Sequence, residues 1–77
     1  MSKEIVEYLA RRLVDDPDAV RVEEIERDGA VVLQLHVAPD DVGKVIGRQG
    51  RIARALRTLV RAGSAHEGRR IVLEIVD

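Results

Sequence analysis

The sequence has no cysteine, which excludes disulfide bonds and metal sites built on thiolates. It has no tryptophan or phenylalanine and a single tyrosine, Tyr8, so its core must be built from Val, Leu, Ile and Ala. No apolar run approaches the roughly 18 residues of a membrane span. The N-terminal segment soon carries an acid and lacks the apolar region of a signal peptide. These absences predict a cytoplasmic protein with no membrane partner.

The length of 77 residues allows one domain, residues 1–77, and no second core. Hydrophobic residues make up 45% of the chain, which is too many for a disordered segment. His36 and His66 lack a third metal ligand nearby, and no hydroxyl residue lies beside a base that could activate it. We therefore expect no enzyme activity, no metal site and no cofactor.

The net charge of −1 hides an uneven distribution of acids and bases. Residues 1–41 hold eleven acids and five Lys or Arg, whereas residues 42–66 hold six bases and no acid. The six bases are Lys44, Arg48, Arg51, Arg54, Arg57 and Arg61. A run of charges is usually a solvated surface, but a run that excludes every acid favours a polyanion as its partner.

Hydrophobic periodicity and turn residues predict the order helix, strand, strand, helix, helix, strand. The predicted bounds are residues 2–14, 20–27, 30–37, 39–46, 51–62 and 69–76. Asp28-Gly29 marks a hairpin, an out-of-phase Ile25 predicts a bulge, and Gly63 is expected to end the third helix. This order predicts an α+β fold with three helices on one face of a three-stranded mixed sheet.

The first and third helices have apolar positions at helical spacing. In the first, Ile5, Leu9 and Leu13 recur every four residues, with Val6 beside them, and predict the buried stripe. In the third, four arginines fall within roughly a third of the circumference. The opposite side is apolar and is expected to face the sheet; it consists of Ile52, Ala55, Leu56, Leu59 and Val60. No glutamate is interleaved with the arginines, which favours an anionic partner over an ordinary solvated face.

The segment Gly47-Arg48-Gln49-Gly50 separates the second predicted helix from the third. Its glycines permit backbone conformations with positive φ and remove side-chain bulk, so another chain can approach closely. The N–H groups at the start of the next helix, together with Arg48, suit a phosphate. The same pattern is also typical of a tight turn between helices, so by itself it leaves both interpretations open.

The residues around this loop separate the two interpretations. Residues 42–52, with the sequence VGKVIGRQGRI, resemble the signature of KH domains. The predicted order of elements is similar to the bacterial, type II arrangement of the KH fold. Residues 37–41 and 53–60 extend the resemblance to the KhpA family of small bacterial single-KH-domain proteins. The resemblance covers essentially the whole chain.

The resemblance implies that the chain binds single-stranded RNA. The loop of a KH domain contacts the backbone of about four nucleotides, and the bases lie in an adjacent groove, here expected to be apolar. Carried over by motif, the clamp is formed by Gly47, Arg48, Gln49 and Gly50, flanked by Lys44, Val45, Ile46, Arg51, Ile52 and Arg54. Ile46 and Ile52 are assigned to the core, the groove or both.

The same resemblance implies protein partners and a cellular role. It implies a homodimer, or pairing with KhpB (Jag), a larger RNA-binding protein with its own KH domain. It also implies a role in post-transcriptional regulation or RNA chaperoning. The alternative is a protein-interaction module that keeps the KH fold and acts mainly as a dimerisation partner. Both glycines and the basic Arg48 are present in the loop, which favours RNA binding.

Overall fold

Helices and strands follow one another in the predicted order in the computed structural model, which describes residues 2–77. The elements are α1 (Ser2–Leu13), β1 (Arg21–Arg27), β2 (Ala30–His36), α2 (Val42–Ile46), α3 (Arg51–Glu67) and β3 (Ile71–Ile75). Short 3-10 turns occupy Pro17–Ala19, Pro39–Asp41 and Arg48–Gly50. The predicted α+β class, with three helices and a three-stranded mixed sheet, is confirmed.

The sheet has the order β1-β2-β3, with β2 in the centre. β1 pairs with β2 in antiparallel register over seven consecutive residue pairs, so the bulge predicted at Ile25 is wrong. Ile25 lies opposite Val32 on the face that the helices do not cover. The regular alternation of side chains along β1 therefore accounts for Ile25 without an extra residue in the strand. β3 pairs with β2 in parallel, residues 71–75 against residues 31–35.

The core lies between the sheet and the three helices. It contains Val6, Ala10, Val20, Val22, Val31, Leu33, Leu35, Val45, Leu56, Val60 and Leu73. Leu35, on the central strand, is 0% exposed. Tyr8 is 60% exposed, with the Arg12 guanidinium 5.8 Å from its ring centroid, so the only aromatic residue lies outside the core. Aliphatic side chains therefore supply the burial that holds the fold together.

The buried stripe of α1 differs from the predicted one. Val6 and Ala10 are buried, whereas Ile5 is 44% exposed and Leu13 is 38% exposed. Leu59 on α3, also expected in the core, is 48% exposed. Ile5 and Leu59 instead line a groove between α1 and α3, so part of the apolar side of each helix stays at the surface.

α3 is about one turn longer than predicted, because it continues through Gly63 and ends at Gly68. Gly68 has φ of 66°, and its N–H donates to the carbonyl oxygen of Ser64, which closes the helix end. At Gly63, a Cβ atom would collide with the hydroxyl of Ser2. Gly63 therefore lets α1 approach α3 closely and does not stop the helix.

We expect Leu35→Ala to reduce the free energy of unfolding by about 2–5 kcal/mol, because it leaves a cavity in the centre of the core. Leu13→Ala is the matched control and should cost less than about 1 kcal/mol, since its side chain is 38% exposed and lies outside the core cluster. Urea unfolding followed by circular dichroism measures both. Equal losses in the two variants would contradict the described core.

Candidate nucleic-acid interface

The loop between α2 and α3 reverses the chain with two glycines that both have positive φ. Gly47 ends α2, with its N–H 2.8 Å from the carbonyl oxygen of Gly43, and has φ 77° and ψ 171°. A Cβ atom on Gly47 would lie 2.7 Å from Cγ1 of Ile52, in the first turn of α3. Gly50 has φ 74° and ψ 17° and precedes α3 directly. The close contact of Gly47 with Ile52 therefore requires a residue without a side chain.

Gln49, between the glycines, has a backbone conformation that residues with side chains rarely adopt, with φ 58° and ψ 23°. Two arginines of α3 hold it in place. Nη2 of Arg54 donates to the Gln49 carbonyl oxygen at 3.0 Å, and Nη2 of Arg51 donates to Gln49 Oε1 at 3.2 Å. Arg51 and Arg54 therefore shape the loop in addition to adding charge.

Arg48 is exposed, and none of the ion pairs among residues 2–77 includes it. The backbone hydrogen bonds of the loop use the N–H groups of Gly47, Gly50 and Arg51. The N–H groups of Arg48 and Gln49 donate none of these backbone hydrogen bonds. Together with the positive end of the α3 dipole, they suit an anionic oxygen such as that of a phosphate.

The three apolar residues that flank the loop lie in different environments. Val45 is 0% exposed in the core, so it holds α2 against the sheet and does not face a ligand. Ile52 is partly buried, packs against the core and contacts Gly47. Ile46 is partly buried at the end of α2. Of the three, Ile46 is the one whose side chain is most available to a bound molecule.

A groove of about 330 Å³ lies between α3 and β3. It is lined by Arg57, Val60, Arg61, Ser64, Arg70, Ile71, Val72 and Leu73. The resemblance implied an apolar groove, whereas this one is lined by three arginines as well as by apolar residues. The motif-based site residues did not include Arg57, Arg61 or Arg70. The acid-free run of residues 42–66 could have added Arg57 and Arg61, whereas no signal in the sequence places Arg70 in this groove.

One side of this groove is the free edge of β3, which pairs only with β2 in the described part of the chain. The carbonyl oxygen of Arg70 and the N–H of Val76 form hydrogen bonds with β2. Backbone groups of successive residues in a strand point to alternate sides, so those of Ile71 and Leu73 point away from β2, toward the free edge. The N–H of Ile71 donates to Oγ of Ser64 at 3.1 Å. Leu73 therefore presents a donor and an acceptor toward the groove.

Lys44, on the exposed side of α2, is bound by two carboxylates. Its Nζ lies 3.1 Å from Asp15 Oδ2 and 3.2 Å from Asp41 Oδ1. Asp41 is 2% exposed, and its Oδ2 accepts the N–H of Asp16 at 3.1 Å. Burial alone would raise the pKa of Asp41, but hydrogen bonds from the N–H groups of Asp16 and Asp15 and from Lys44 lower it overall. The hydrogen bonds to Asp15 and Asp41 raise the pKa of Lys44, so Lys44 and Asp41 both stay charged.

Other polar features of the molecule are set apart from this surface. His36 lies on the sheet face that the helices do not cover, with Nε2 3.2 Å from Glu23 Oε1. Within residues 2–77, no group of three or more His, Cys, Asp or Glu side chains could hold a metal ion. No helix in the same range is long and apolar enough to cross a membrane.

The element order, the parallel pairing of β2 with β3 and the two-glycine loop between α2 and α3 define a KH domain of the type II arrangement. A family model described as the KH domain of KhpA and KhpB matches residues 3–75. The chain therefore belongs to the KhpA/KhpB family of KH domains, which confirms the resemblance seen in the sequence.

Relatives over nearly the full length carry the name RNA-binding protein KhpA. That of Aquifex aeolicus is 56% identical over 75 residues, which are 97% of this chain and 95% of that protein. That of Caldanaerobacter subterraneus subsp. tengcongensis is 52% identical over 73 residues, or 95% and 97%. A crystal structure of Era, in complex with MgGDPNP and nucleotides 1506–1542 of 16S ribosomal RNA, matches with a TM-score of 0.61. At 20% identity, with 96% of this chain and 28% of Era covered, that match shows the fold alone.

We expect Gly47→Ala to destabilise the protein by about 2–4 kcal/mol, because a left-handed conformation with a Cβ atom adds to the collision with Ile52. Gly43→Ala is the control, since nothing lies within 4 Å of its added Cβ atom. An alanine within α2 should stabilise the helix by up to about 1 kcal/mol. Thermal unfolding followed by circular dichroism checks both, and an unchanged midpoint for Gly47→Ala would contradict the close contact.

Proposed function

We propose that residues 1–77 act as a single KH domain that binds short single-stranded RNA. The loop holds the sugar–phosphate backbone, and the bases lie in the groove between α3 and β3. The observation that carries this proposal is the loop itself, where an unpaired Arg48 and two N–H groups meet the positive end of α3. Membership of a family with relatives named RNA-binding proteins supports it.

The proposed contacts divide between backbone and bases. The loop residues are Gly47, Arg48, Gln49 and Gly50, and the flanking residues are Lys44, Val45, Ile46, Arg51, Ile52 and Arg54. Among the flanking residues, the buried Val45 and the partly buried Ile52 act by supporting the loop from beneath. The groove adds Arg57, Arg61 and Arg70, with the edge of β3 available for hydrogen bonds to bases.

A single strand suits this surface better than a duplex does. A flexible strand can place its backbone on the loop and turn its unstacked bases into the adjacent groove. The bases of an A-form duplex are stacked and paired, and its major groove is too narrow for side chains to read. In line with the family resemblance, we propose a binding activity without catalysis, exerted in the cytoplasm in post-transcriptional regulation or RNA chaperoning.

We expect the double substitution Arg48→Asp with Gln49→Asp to abolish RNA binding while the protein stays folded. Both side chains are exposed, so the change costs little stability. It places two negative charges where the phosphates lie, and a weak single site loses measurable binding with a loss of about 2 kcal/mol, roughly thirtyfold. Fluorescence anisotropy with a short labelled RNA measures binding, and circular dichroism measures folding.

Arg27→Asp is the control for charge, because Arg27 lies on the sheet face that the helices do not cover. It should bind RNA nearly as well as the parent protein.

An RNA duplex should compete poorly, and the log–log dependence of affinity on salt should have a slope of about −1 to −3, at ~0.7 per phosphate. A folded double variant that binds like the parent would favour the protein-interaction module instead.

A second candidate function, self-association, rests on an apolar groove of about 270 Å³ between α1 and α3. Its lining includes Ile5, Leu59 and Ala62, and the first two of these are almost half exposed. We propose that a second copy of this chain covers it, since a two-fold interface brings the same patch from both copies together. KhpB is the alternative occupant, because its KH domain is covered by the same family model.

Leu59→Glu should shift the protein toward the monomer, because it introduces a charge into an apolar interface. Leu13→Glu is the matched control, since Leu13 is a similarly exposed leucine that does not line this groove. Sedimentation equilibrium over a range of concentrations distinguishes the states. The same mass for Leu59→Glu and the parent at every concentration would contradict the proposed interface.

A further inference from the structure

Lys44 lies on α2 one turn before the loop, yet its charge already has two partners. Its side chain is 41% exposed, that of Asp15 is 81% exposed and that of Asp41 is 3% exposed. The other bases of residues 42–66 make no ion pair within the described part of the chain. The lysine nearest to the proposed phosphate site is thus the one base of this segment whose charge is matched inside the protein.

The two acids hold Lys44 in different ways. Asp41 is buried at the start of α2 and is fixed by the N–H of Asp16, so its bond to Lys44 is part of the folded structure. Asp15 follows the end of α1 and is open to solvent, so its bond to Lys44 can be exchanged for one to another anion. An ammonium group on a flexible stem suits such an exchange, because its three donors rotate freely.

We propose that Asp15 lowers the affinity of the loop for RNA by holding Lys44 away from the phosphate backbone. Asp15 is a positioning residue that acts through Lys44, and the inference rests on the proposed RNA-binding function. In the parent protein Lys44 stays bound to Asp15, so the complex with RNA lacks the phosphate contact that Lys44 could make. Exposed ion pairs of this kind correspond to roughly 1.5- to 5-fold in an equilibrium constant.

The test compares Asp15→Ala with Asp18→Ala in RNA binding by fluorescence anisotropy. Asp15→Ala should tighten binding about 1.5- to 5-fold and make the salt slope steeper by ~0.7, the value for one added phosphate contact. Asp18 is also exposed and lies three residues further along the chain in the Pro17–Ala19 turn, but it has no ion pair among residues 2–77. Its removal changes the net charge equally and should leave both quantities nearly unchanged.

A double-mutant cycle identifies the residue through which Asp15 acts. In a Lys44→Met background, Asp15→Ala should have no further effect on affinity or on the salt slope. Equal tightening with and without Lys44, or equal tightening by Asp18→Ala, would overturn the proposal in favour of a general charge effect. Thermal melting confirms that each variant is folded.

The failure of this proposal and the failure of the proposed function give different results. If the folded parent protein binds no single-stranded RNA, the proposed function fails, and this inference fails with it. If the parent binds RNA and Asp15→Ala binds with the same affinity and salt slope, only the role of Asp15 is wrong.

Discussion

The parallel pairing of β2 with β3 is the constraint on which the rest of the structure depends. Two parallel neighbours need a crossover from the end of one strand to the start of the next, and here α2, the loop and α3 provide it. The crossover packs back onto one face of the sheet, which places α3 beside the free edge of β3. The groove exists because these two elements run side by side, and the loop lies where the crossover changes direction.

Charge follows this architecture closely. The crossover carries all six bases of residues 42–66, while most acids lie on α1, on the hairpin and in the connecting turns. The two populations meet at Lys44, where the turn after α1 reaches α2 through Asp15 and Asp41. An overall charge of −1 is therefore compatible with an anionic partner, because the segment that would meet it has a local excess of positive charge.

The sequence predicted the features that depend on local pattern, and it failed where distant residues decide. Element order and the loop could be predicted because periodicity and paired glycines are local signals. The end of α3 could not be predicted, because Gly63 and Gly68 are equivalent stop signals in the sequence. Only the structure shows that Gly63 lies against Ser2 within the helix and that Gly68 ends it. The exposure of Ile5 depends on how α1 lies beside α3, and the place of Arg70 in the groove depends on which strand forms the edge.

The open edge of β3 has a consequence for solubility. A strand with unpaired backbone groups is a template for β-sheet growth between copies, and folds usually protect such edges. Here Oγ of Ser64 accepts a hydrogen bond from one of the outward N–H groups, that of Ile71. Arg57, Arg61 and Arg70 line the groove beside the strand. Positive charges beside an edge strand make two copies of that edge repel one another, which is a common way to oppose β-sheet growth. A polyanion bound in the groove would neutralise that repulsion, but it would also cover the free edge of β3, so the edge would stay protected.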